Sequence, residues 1–259
     1  MILIQFNQKK QVKQSGILLM KLYMNKIAII ADIHGNLPAL DAVLEDIKKR
    51  GISQIYCLGD LVGYYCFFNE VVERISQLNI PTILGNHDYA LIYNDGEINR
   101  SKTCTKILKW QLTHLDSNTQ SYLKSLPTKL DLTFGCKNIQ FVHAGLKDPL
   151  EEYIFDVNDD YFRNNEFKHD VLINGHTHLI SYKRFFSGKI WLNPGSVGQS
   201  RDLDNRSSYL IIDDKFDVEF VRIKYDYMKV VNEMKQNGFD DYISETLISG
   251  KKIGYINDI

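Results

Sequence analysis

Short apolar runs alternate with helix-like segments along the chain from Met24 onward, and polar clusters separate them. Residues 26–31 form a continuous apolar run of strand length, which favours a strand that is covered on both faces. Asn36 can cap the helix that follows, Pro38 fits its first turn, and Gly51 is placed to end it. The same pattern then predicts a strand, a helix and a third strand at residues 54–58, 69–78 and 81–84.

The second half of the chain begins with a helical pattern and returns to strands. Residues 89–130 carry apolar positions at helical spacings and are closed by Pro127, so we expect a helical insert there. Several of the later strands are near neighbours and favour antiparallel pairs, whereas the first half favours parallel β-α-β units. The chain returns to helix from about Tyr227. The predicted later strands span residues 130–134, 138–142, 171–173, 184–192, 209–212 and 218–223.

The first 23 residues do not fit this pattern. Their apolar patch at residues 17–20 is too short for the core of a signal peptide, and no small-residue cleavage site follows it. We expect residues 1–23 to be a disordered extension or a mis-assigned start, and residues 24–259 to form one domain with residues 89–130 as its insert. No apolar run approaches the roughly 18 residues that span a bilayer, so we expect a cytoplasmic protein.

Composition and charge exclude several classes of protein. The 259 residues are 44% hydrophobic and 24% charged, which is typical of globular proteins and unlike disordered ones. The 31 basic residues balance 32 acidic ones, which argues against a basic surface for long nucleic acid or anionic membrane. The four cysteines show no zinc-type spacing, so we expect free thiols.

Metal-binding side chains follow five of the predicted strands, often beside a glycine. In α/β sheets the carboxyl ends of the strands form the edge at which ligands bind. Five of the seven histidines fall in these clusters, although any one of them alone would more often be a core or surface residue. The clusters are Asp32 to Asn36, Gly59-Asp60, Gly85 to Asp88, His143 and Gly175 to His178.

The donors in these clusters are too many for one tetrahedral zinc ion with an open position. They suit two divalent ions that share a bridging carboxylate, and two such ions about 4 Å apart can activate a hydroxide for attack on phosphorus. Imidazole and carboxylate ligands suit Mn, Fe, Zn, Ni or Co, and we expect Mn to serve in vitro. The seven candidate ligands are Asp32, His34, Asp60, Asn86, His143, His176 and His178.

The order and spacing of these motifs resemble the calcineurin-like metallophosphoesterase superfamily over nearly the whole chain after Met24. The segments DIHGNLPAL, GDLVGY, PTILGNHDYAL, DPLEEYIFD and NPGSVGQSRD resemble its bacterial and archaeal phosphodiesterase-like members, including diadenosine tetraphosphate hydrolase-like proteins. The resemblance implies a four-layer α/β fold, in which two mixed β-sheets are sandwiched and flanked by helices, with a small helical insertion.

The resemblance also implies roles for the ligands. One ion would be held by Asp32, His34, Asp60 and His178, and Asp60 would bridge to a second ion held by Asn86, His143 and His176. His87 would not ligate, but would face the substrate phosphate and protonate the leaving-group oxygen. Asp88, which is adjacent, is placed to orient His87 and to raise its pKa.

Substrate contacts are predicted less directly. Asn86, His87 and Arg201 are candidate substrate-binding residues, although surface ion pairing suits Arg201 and Arg206 equally well. The aromatic run 64–68 could stack on a nucleobase, but a packed loop is the better interpretation. This run, the segment after His143 and Ser200 depart from the pattern of relatives, and these departures concern the substrate pocket rather than the metal ligands.

These observations predict a dinuclear metal-dependent phosphoesterase. It would hydrolyse a phosphodiester or phosphoanhydride in a small nucleotide-type molecule, such as a diadenosine polyphosphate, by in-line attack of a metal-bridging hydroxide. A Ser/Thr phosphoprotein phosphatase using the same site is the alternative. A non-catalytic scaffold is a third hypothesis, which predicts missing ligands or a replaced His87. We expect a small phosphorylated substrate as the partner, with no long nucleic acid and no membrane.

Overall fold

Two β-sheets pack against each other in the computed structural model, which describes residues 25–93 and 102–251. In chain order its strands are β1 (Lys26–Ile30), β2 (Gln54–Cys57), β3 (Lys129–Phe134), β4 (Lys137–Val142), β5 (Val171–Ile173), β6 (Ile180–Arg184), β7 (Ile190–Pro194), β8 (Ser207–Asp213) and β9 (Val218–Ile223). Its helices are α1 (Leu37–Lys49), α2 (Phe68–Gln77), α3 (Asn86–Tyr93), α4 (Lys102–His114), α5 (Ser117–Ser125), α6 (Asp159–Asn164), α7 (Tyr227–Gln236) and α8 (Asp241–Ser249).

Both sheets mix parallel and antiparallel pairs, as the family resemblance implies. The four-stranded sheet has the order β2-β1-β8-β9, with β1 parallel to β2 and antiparallel to β8. The five-stranded sheet has the order β3-β4-β5-β7-β6, with β5 parallel to both β4 and β7. The α/β fold with two mixed sheets flanked by helices is therefore confirmed.

Alternation along the strands builds the layers of the core. Ile27 and Ile29 of β1 face the other sheet, where they join Phe141 of β4 and Ile173 of β5 in one apolar cluster. The intervening residues of β1 pack instead against α1 and α2. Successive side chains of a strand point to opposite faces, so β1 is buried on both, as its continuous apolar run predicts.

Asn36 joins the start of α1 to two distant segments. Its side-chain oxygen accepts a hydrogen bond from the Ala39 backbone N–H at 3.1 Å, which caps the helix. Its amide nitrogen donates to the Gly198 carbonyl at 2.9 Å and to the Tyr225 hydroxyl at 3.1 Å. The side chain is fully buried, so one residue fixes the helix start against the loop after β7 and the segment before α7.

Two of the predicted strands are wrong in detail. The predicted strand at 81–84 is reduced to a single bridge between Cys57 and Thr82, and the chain enters α3 directly at Asn86. The predicted strand at 184–192 is a hairpin of β6 and β7, because Gly188 adopts a φ of +83° and its N–H bonds to Phe185 O. The short helix α6, capped by Asn158, was not predicted.

The predicted extension at residues 1–23 lies outside the described residues, as do residues 94–101 of the predicted insert. The described part of the insert is mostly helical, comprising most of α3 together with α4 and α5. Within the described ranges, no helix is both long and apolar enough to cross a membrane.

Replacing Asn36 by Ala removes the cap and leaves the Gly198 carbonyl and the Tyr225 hydroxyl without their bonds. We expect Asn36→Ala to lower the free energy of unfolding by about 3 kcal/mol. Asn158→Ala is the matched control, since Asn158 caps α6 through Tyr161 N at an exposed position, and about 1 kcal/mol is expected there. Urea denaturation measures both, and equal losses would contradict the linking role of Asn36.

Candidate metal centre

The carboxyl ends of β1, β2, β4 and β5 meet at one edge of the two sheets, and the predicted ligands lie there. Asp32 follows β1, Asp60 follows β2, His143 directly follows β4, and His176 and His178 follow β5. Backbone bonds join these ends: Asp32 N–H donates to Gly59 O at 3.1 Å, and Gly175 N–H donates to His143 O at 2.9 Å. The edge is therefore built from both sheets.

The predicted ligands form two groups of buried side chains. Asp32, His34, Asp60 and His178 present ligand atoms within 4.8 Å of one another, and Asp60 forms a second such group with His143 and His176. None of these side chains, nor that of Asn86, is more than 3% exposed. Asp60 belongs to both groups, which is the position that a bridging carboxylate requires.

The backbone at these ligands is unusual. Nine non-glycine residues of the described ranges have a positive φ, and five of them are Asp32, His34, Asp60, His176 and His178, at 53° to 66°. This left-handed region costs a non-glycine residue on the order of 1–3 kcal/mol, and such strain concentrates at functional sites. The fold holds these turns in place so that side chains from separate strands point to one centre.

Two histidines of the first group are aimed by backbone carbonyls. His34 Nδ1 lies 2.9 Å from Val62 O, and His178 Nδ1 lies 2.5 Å from Gln199 O. A carbonyl only accepts, so each Nδ1 carries the proton and each Nε2 presents a lone pair. The two Nε2 atoms are 3.0 Å apart, and His178 Nε2 is 3.4 Å from Asp32 Oδ1.

This donor set fits a cation. Burial lowers the pKa of His34 to about 4 and the pKa of His178 well below its usual range, so both imidazoles are neutral at neutral pH. Two lone pairs that face each other at 3.0 Å repel unless a positive charge lies between them or beside them. A divalent cation supplies that charge, and the carbonyl bonds to Nδ1 are the usual support of metal-binding histidines.

The second group also stabilises positive charge. His143 Nδ1 donates to Leu58 O at 2.8 Å, and its Nε2 lies 3.1 Å from Asn86 Oδ1 and 3.4 Å from Asp60 Oδ2. Burial opposes protonation of His143, but the Asp60 carboxylate outweighs it and raises the pKa of His143 to about 9. A divalent metal ion would supply positive charge in place of that proton.

Asp32 and Asp60 are buried side by side, and their pKa values move apart. Burial first, and then the Asp60 charge, raises the pKa of Asp32 to about 8. Burial also acts on Asp60, but the charges of His143 and His87 outweigh it and hold the pKa of Asp60 well below its usual range. Bound cations are the strongest local charges in such sites and allow both carboxylates to ionise. The structure thus supports divalent metal binding.

His87 and Asp88 lie at the start of α3, and the His87 ring lies beside the first group. The His87 ring is 4.7 Å from that of His34 and 4.9 Å from that of Tyr64, and its backbone N–H donates to Asp60 Oδ1 at 2.8 Å. The predicted pairing of Asp88 with His87 is wrong. The Asp88 carboxyl accepts backbone N–H bonds from Leu61, Val62 and Gly85 at 2.9–3.1 Å, so it holds two ligand-bearing loops together.

Sequence reasoning missed several residues that support the ligands. Glu151 Oε2 accepts a bond from the Asn86 amide at 3.3 Å, which turns the amide oxygen toward the centre. Cys104 Sγ of α4 lies 3.7 Å from His87 Nδ1. Buried Gln111 of α4 accepts the Gly63 N–H bond at 3.0 Å and donates to Tyr65 O at 2.9 Å. No sequence signal pointed to these contacts, because they join segments far apart in the chain.

Arg201 lies beside the first group. Its guanidinium donates to the Tyr64 hydroxyl at 3.2 Å and to Gln199 Oε1 at 2.9 Å, and it stands 5.8 Å from the Tyr64 ring centre. No carboxylate of the described ranges forms an ion pair with it, whereas Arg206 pairs with Asp204 at 2.6 Å. Its charge helps to lower the pKa of His178, after burial.

The remaining candidates are structural. Tyr65 and Phe68 are fully buried. The aromatic run 64–68 is therefore a packed segment that leads into α2, which agrees with the packed loop preferred over a base-stacking surface. His114 is exposed and stacks on Trp110, and His169 pairs with Asp131 at 3.2 Å. The four cysteines are free thiols, and Cys136 is the exposed one.

Comparisons with known proteins agree with this geometry. A model of the calcineurin-like phosphoesterase superfamily domain matches residues 25–215. An uncharacterized protein of Methanocaldococcus jannaschii is 38% identical and is covered over 98% of its length, with 87% of this chain. A metallophosphoesterase of Sphaerobacter thermophilus is 30% identical with a TM-score of 0.75, covering all of that chain and 88% of this one. The fold also matches a hypothetical protein of Pyrococcus horikoshii at 23% identity and a TM-score of 0.79. This match covers 99% of that chain and 88% of this one.

Gly63 provides a direct test of the packing at the centre. A Cβ there would lie 2.6 Å from His87 Nδ1 and 2.9 Å from His34 Nδ1, at a φ of +108°. Gly188 also has a positive φ, but a Cβ there meets nothing within 4 Å. We expect Gly63→Ala to be less stable than Gly188→Ala by about 2 kcal/mol, measured by urea denaturation, and to bind Mn²⁺ more weakly. Equal stability and equal Mn²⁺ binding would mean that the two rings yield freely.

Proposed function

The chain belongs to the calcineurin-like phosphoesterase superfamily, and we propose that this phosphoric ester hydrolase uses two metal ions to cleave a phosphodiester or phosphoanhydride in a small nucleotide-type molecule. The observation that carries the proposal is the position of Asp60, whose carboxyl is common to two buried groups of metal-binding side chains. A mononuclear site would not need the second group.

In this proposal Asp32, His34, Asp60 and His178 hold one ion. Asp60 also holds the second ion, together with Asn86, His143 and His176. Imidazole and carboxylate donors suit Mn, Fe, Zn, Ni or Co, and we expect Mn²⁺ to support activity in vitro. Both groups lack cysteine, which fits this range of metals, since softer thiolate ligands favour Cu(I) and iron–sulfur clusters.

When bound, the ions supply Lewis acidity, which lowers the pKa of a water and neutralises phosphoryl oxygens. The chain's own residues do the rest. Water loses one proton to solvent and its oxygen forms a bond to phosphorus, while the bond from phosphorus to the leaving oxygen breaks. The released alkoxide or phosphate takes up a proton from a donor side chain, which solvent then reprotonates. We propose that His87 donates this proton, because its ring adjoins that of His34 and its N–H is tied to Asp60.

Asn86 and Arg201 complete the substrate site in this proposal. The Asn86 amide is oriented by Glu151, and Arg201 has no carboxylate partner in the described ranges, so its charge is available to a phosphate oxygen. The burial of every ligand, with α4 packed behind His87 through Cys104, favours a small substrate over a folded phosphoprotein. Asp88 acts as a positioning residue through its three backbone bonds.

Asp60→Asn tests the shared carboxylate. The amide keeps the shape but removes the negative charge and one oxygen donor, so we expect the protein to lose both ions and to lose hydrolysis of bis(4-nitrophenyl) phosphate. Elemental analysis after Mn²⁺ loading and dialysis measures the metal content. Asp213→Asn is the control, since Asp213 is buried but bonds only the neighbouring Lys215 and Asp217 N–H groups. Two ions retained by Asp60→Asn would refute the bridge, and faster cleavage of a phosphopeptide than of the diester by the wild type would favour the phosphatase alternative.

His87→Ala tests the proton donor. A poor leaving group needs protonation and a good one does not, so we expect a loss of about 10²–10⁴-fold in kcat for a phenyl phosphodiester and a much smaller loss for its 4-nitrophenyl analogue. Metal content should be unchanged. His169→Ala, which removes a histidine bound to Asp131, should leave both rates alone. Equal losses for the two leaving groups would assign His87 to another step, and loss of metal would make it a ligand.

A further inference from the structure

Two aromatic side chains extend from the metal centre to the protein surface. The Tyr153 ring lies 4.0 Å from the ring of His176, and the Phe155 ring lies 5.7 Å from Tyr153 with an interplanar angle of 11°. Tyr153 is 46% exposed and Phe155 is 62% exposed. We call His176, Tyr153 and Phe155 the aromatic row. It begins at a predicted metal ligand and ends in solvent.

The segment that carries the row is anchored on both sides of Tyr153 and directly before Phe155. Glu152 points inward, where its Oε2 accepts the Lys147 N–H at 2.8 Å and the Tyr161 hydroxyl at 3.0 Å. Ile154 is 3% exposed and packs with Phe162 in the apolar cluster outside the five-stranded sheet. Inward residues therefore alternate with outward ones, and the exposure of Tyr153 and Phe155 is imposed by the fold.

Exposed aromatic surface of this kind is costly unless something covers it. Single exposed apolar residues are common, but here two nearly parallel rings adjoin a buried catalytic centre. If a phosphoryl unit lay at metals held by His176, a group attached to it on that side would meet Tyr153 next, because the two rings are 4.0 Å apart. Because the rings are already held in place, a flat partner would lose little additional freedom by stacking on them.

We propose that the aromatic row is a nucleobase subsite, in which the base of a nucleoside phosphate stacks on Tyr153 and Phe155 while its phosphorus lies at the metal centre. This inference rests on the proposed function and narrows its substrate to phosphodiesters or phosphoanhydrides that carry a nucleoside. Phe155 has no polar group, so the stacking accepts any base. Within the run 64–68, Tyr65, Cys66 and Phe68 are buried, so the aromatic row offers a base the larger exposed ring surface.

The test compares two diesters with the same leaving group, thymidine 5′-(4-nitrophenyl phosphate) and methyl 4-nitrophenyl phosphate. Stacking of one base on aromatic side chains is worth roughly 5- to 150-fold in binding. For the Mn²⁺-loaded wild type, we expect kcat/KM for the nucleoside diester to be at least about 10-fold higher than kcat/KM for the methyl diester. Phe155→Ala should lower this preference about 10-fold, and Phe155→Tyr, which keeps the ring, should retain it.

Phe186→Ala is the matched control, because Phe186 is a fully exposed phenylalanine between β6 and β7 with no ring contact in the described ranges. It should leave both rates unchanged. An unchanged preference in Phe155→Ala would overturn the inference and leave the proposed hydrolysis standing. The inference would also be overturned if light scattering showed that Phe155→Ala changes the oligomeric state while the substrate preference stays the same. Tyr153 and Phe155 would then form an interface between copies of the chain.

Failure of the proposed function is recognised separately. If the wild type cleaves neither diester, saturation-transfer NMR with thymidine 5′-monophosphate still decides the subsite. Transfer to the base protons that disappears in Phe155→Ala and persists in Phe186→Ala would support stacking on the row, and equal transfer in all three proteins would refute it.

Discussion

Burial of two neighbouring carboxylates is the constraint on which the rest of this structure depends. Asp32 and Asp60 are almost completely excluded from water. An isolated charge is strongly disfavoured in the protein interior. Their surroundings compensate in different ways: His143 and His87 favour the charged form of Asp60, while Asp32 is left with a pKa near 8. Neutral His34 and His178 add lone pairs rather than charge. Cations bound at the centre would allow both carboxylates to ionise, and metal binding would then add to the stability of the folded state at this edge.

The fold supplies the geometry through bonds between loops that are distant in sequence. The loop after β1 receives three bonds from two other loops. Asp32 O accepts the Gly198 N–H at 3.0 Å and the Ser196 hydroxyl at 2.7 Å, both from the loop after β7, and the Asp32 carboxyl accepts the His176 N–H at 3.1 Å. Left-handed backbone at five ligands would not persist in a freely moving loop. Asp88 and Gln111 act in the same way, by binding backbone groups of the turn after Asp60 rather than by reaching the centre. Asn36, which follows His34, ties the loop after β1 to the Gly198 carbonyl.

The sequence pattern was sufficient to predict most of the strands and the convergence of the candidate ligands, and the family resemblance added the two mixed sheets. Strand ends such as Asp32 and His143 are local features, because an apolar run stops and a donor follows. Contacts across the chain are not local, which explains the errors. Adjacency suggested that Asp88 serves His87, but in a helix the side chains of neighbouring residues point in different directions, and Asp88 turns to the Gly85 and Leu61 backbone. The hairpin turn at Gly188 did carry a Ser-Gly signal, which the apolar residues around it obscured.

Chemistry and selectivity lie on different parts of this molecule. The ligands sit at strand ends that are fixed by both sheets, so a substitution there disturbs the whole edge. The aromatic row lies on the segment between β4 and α6, where Glu152 and Ile154 carry the anchoring and the alternate positions are free to vary without unfolding the sheet. Substitution of Phe155 can therefore alter substrate preference without altering the reaction. Tyr153 contacts His176, so a substitution there would affect both. Functional diversity on a shared catalytic edge is expected to arise at such loop positions, where side chains meet the substrate but not the metal.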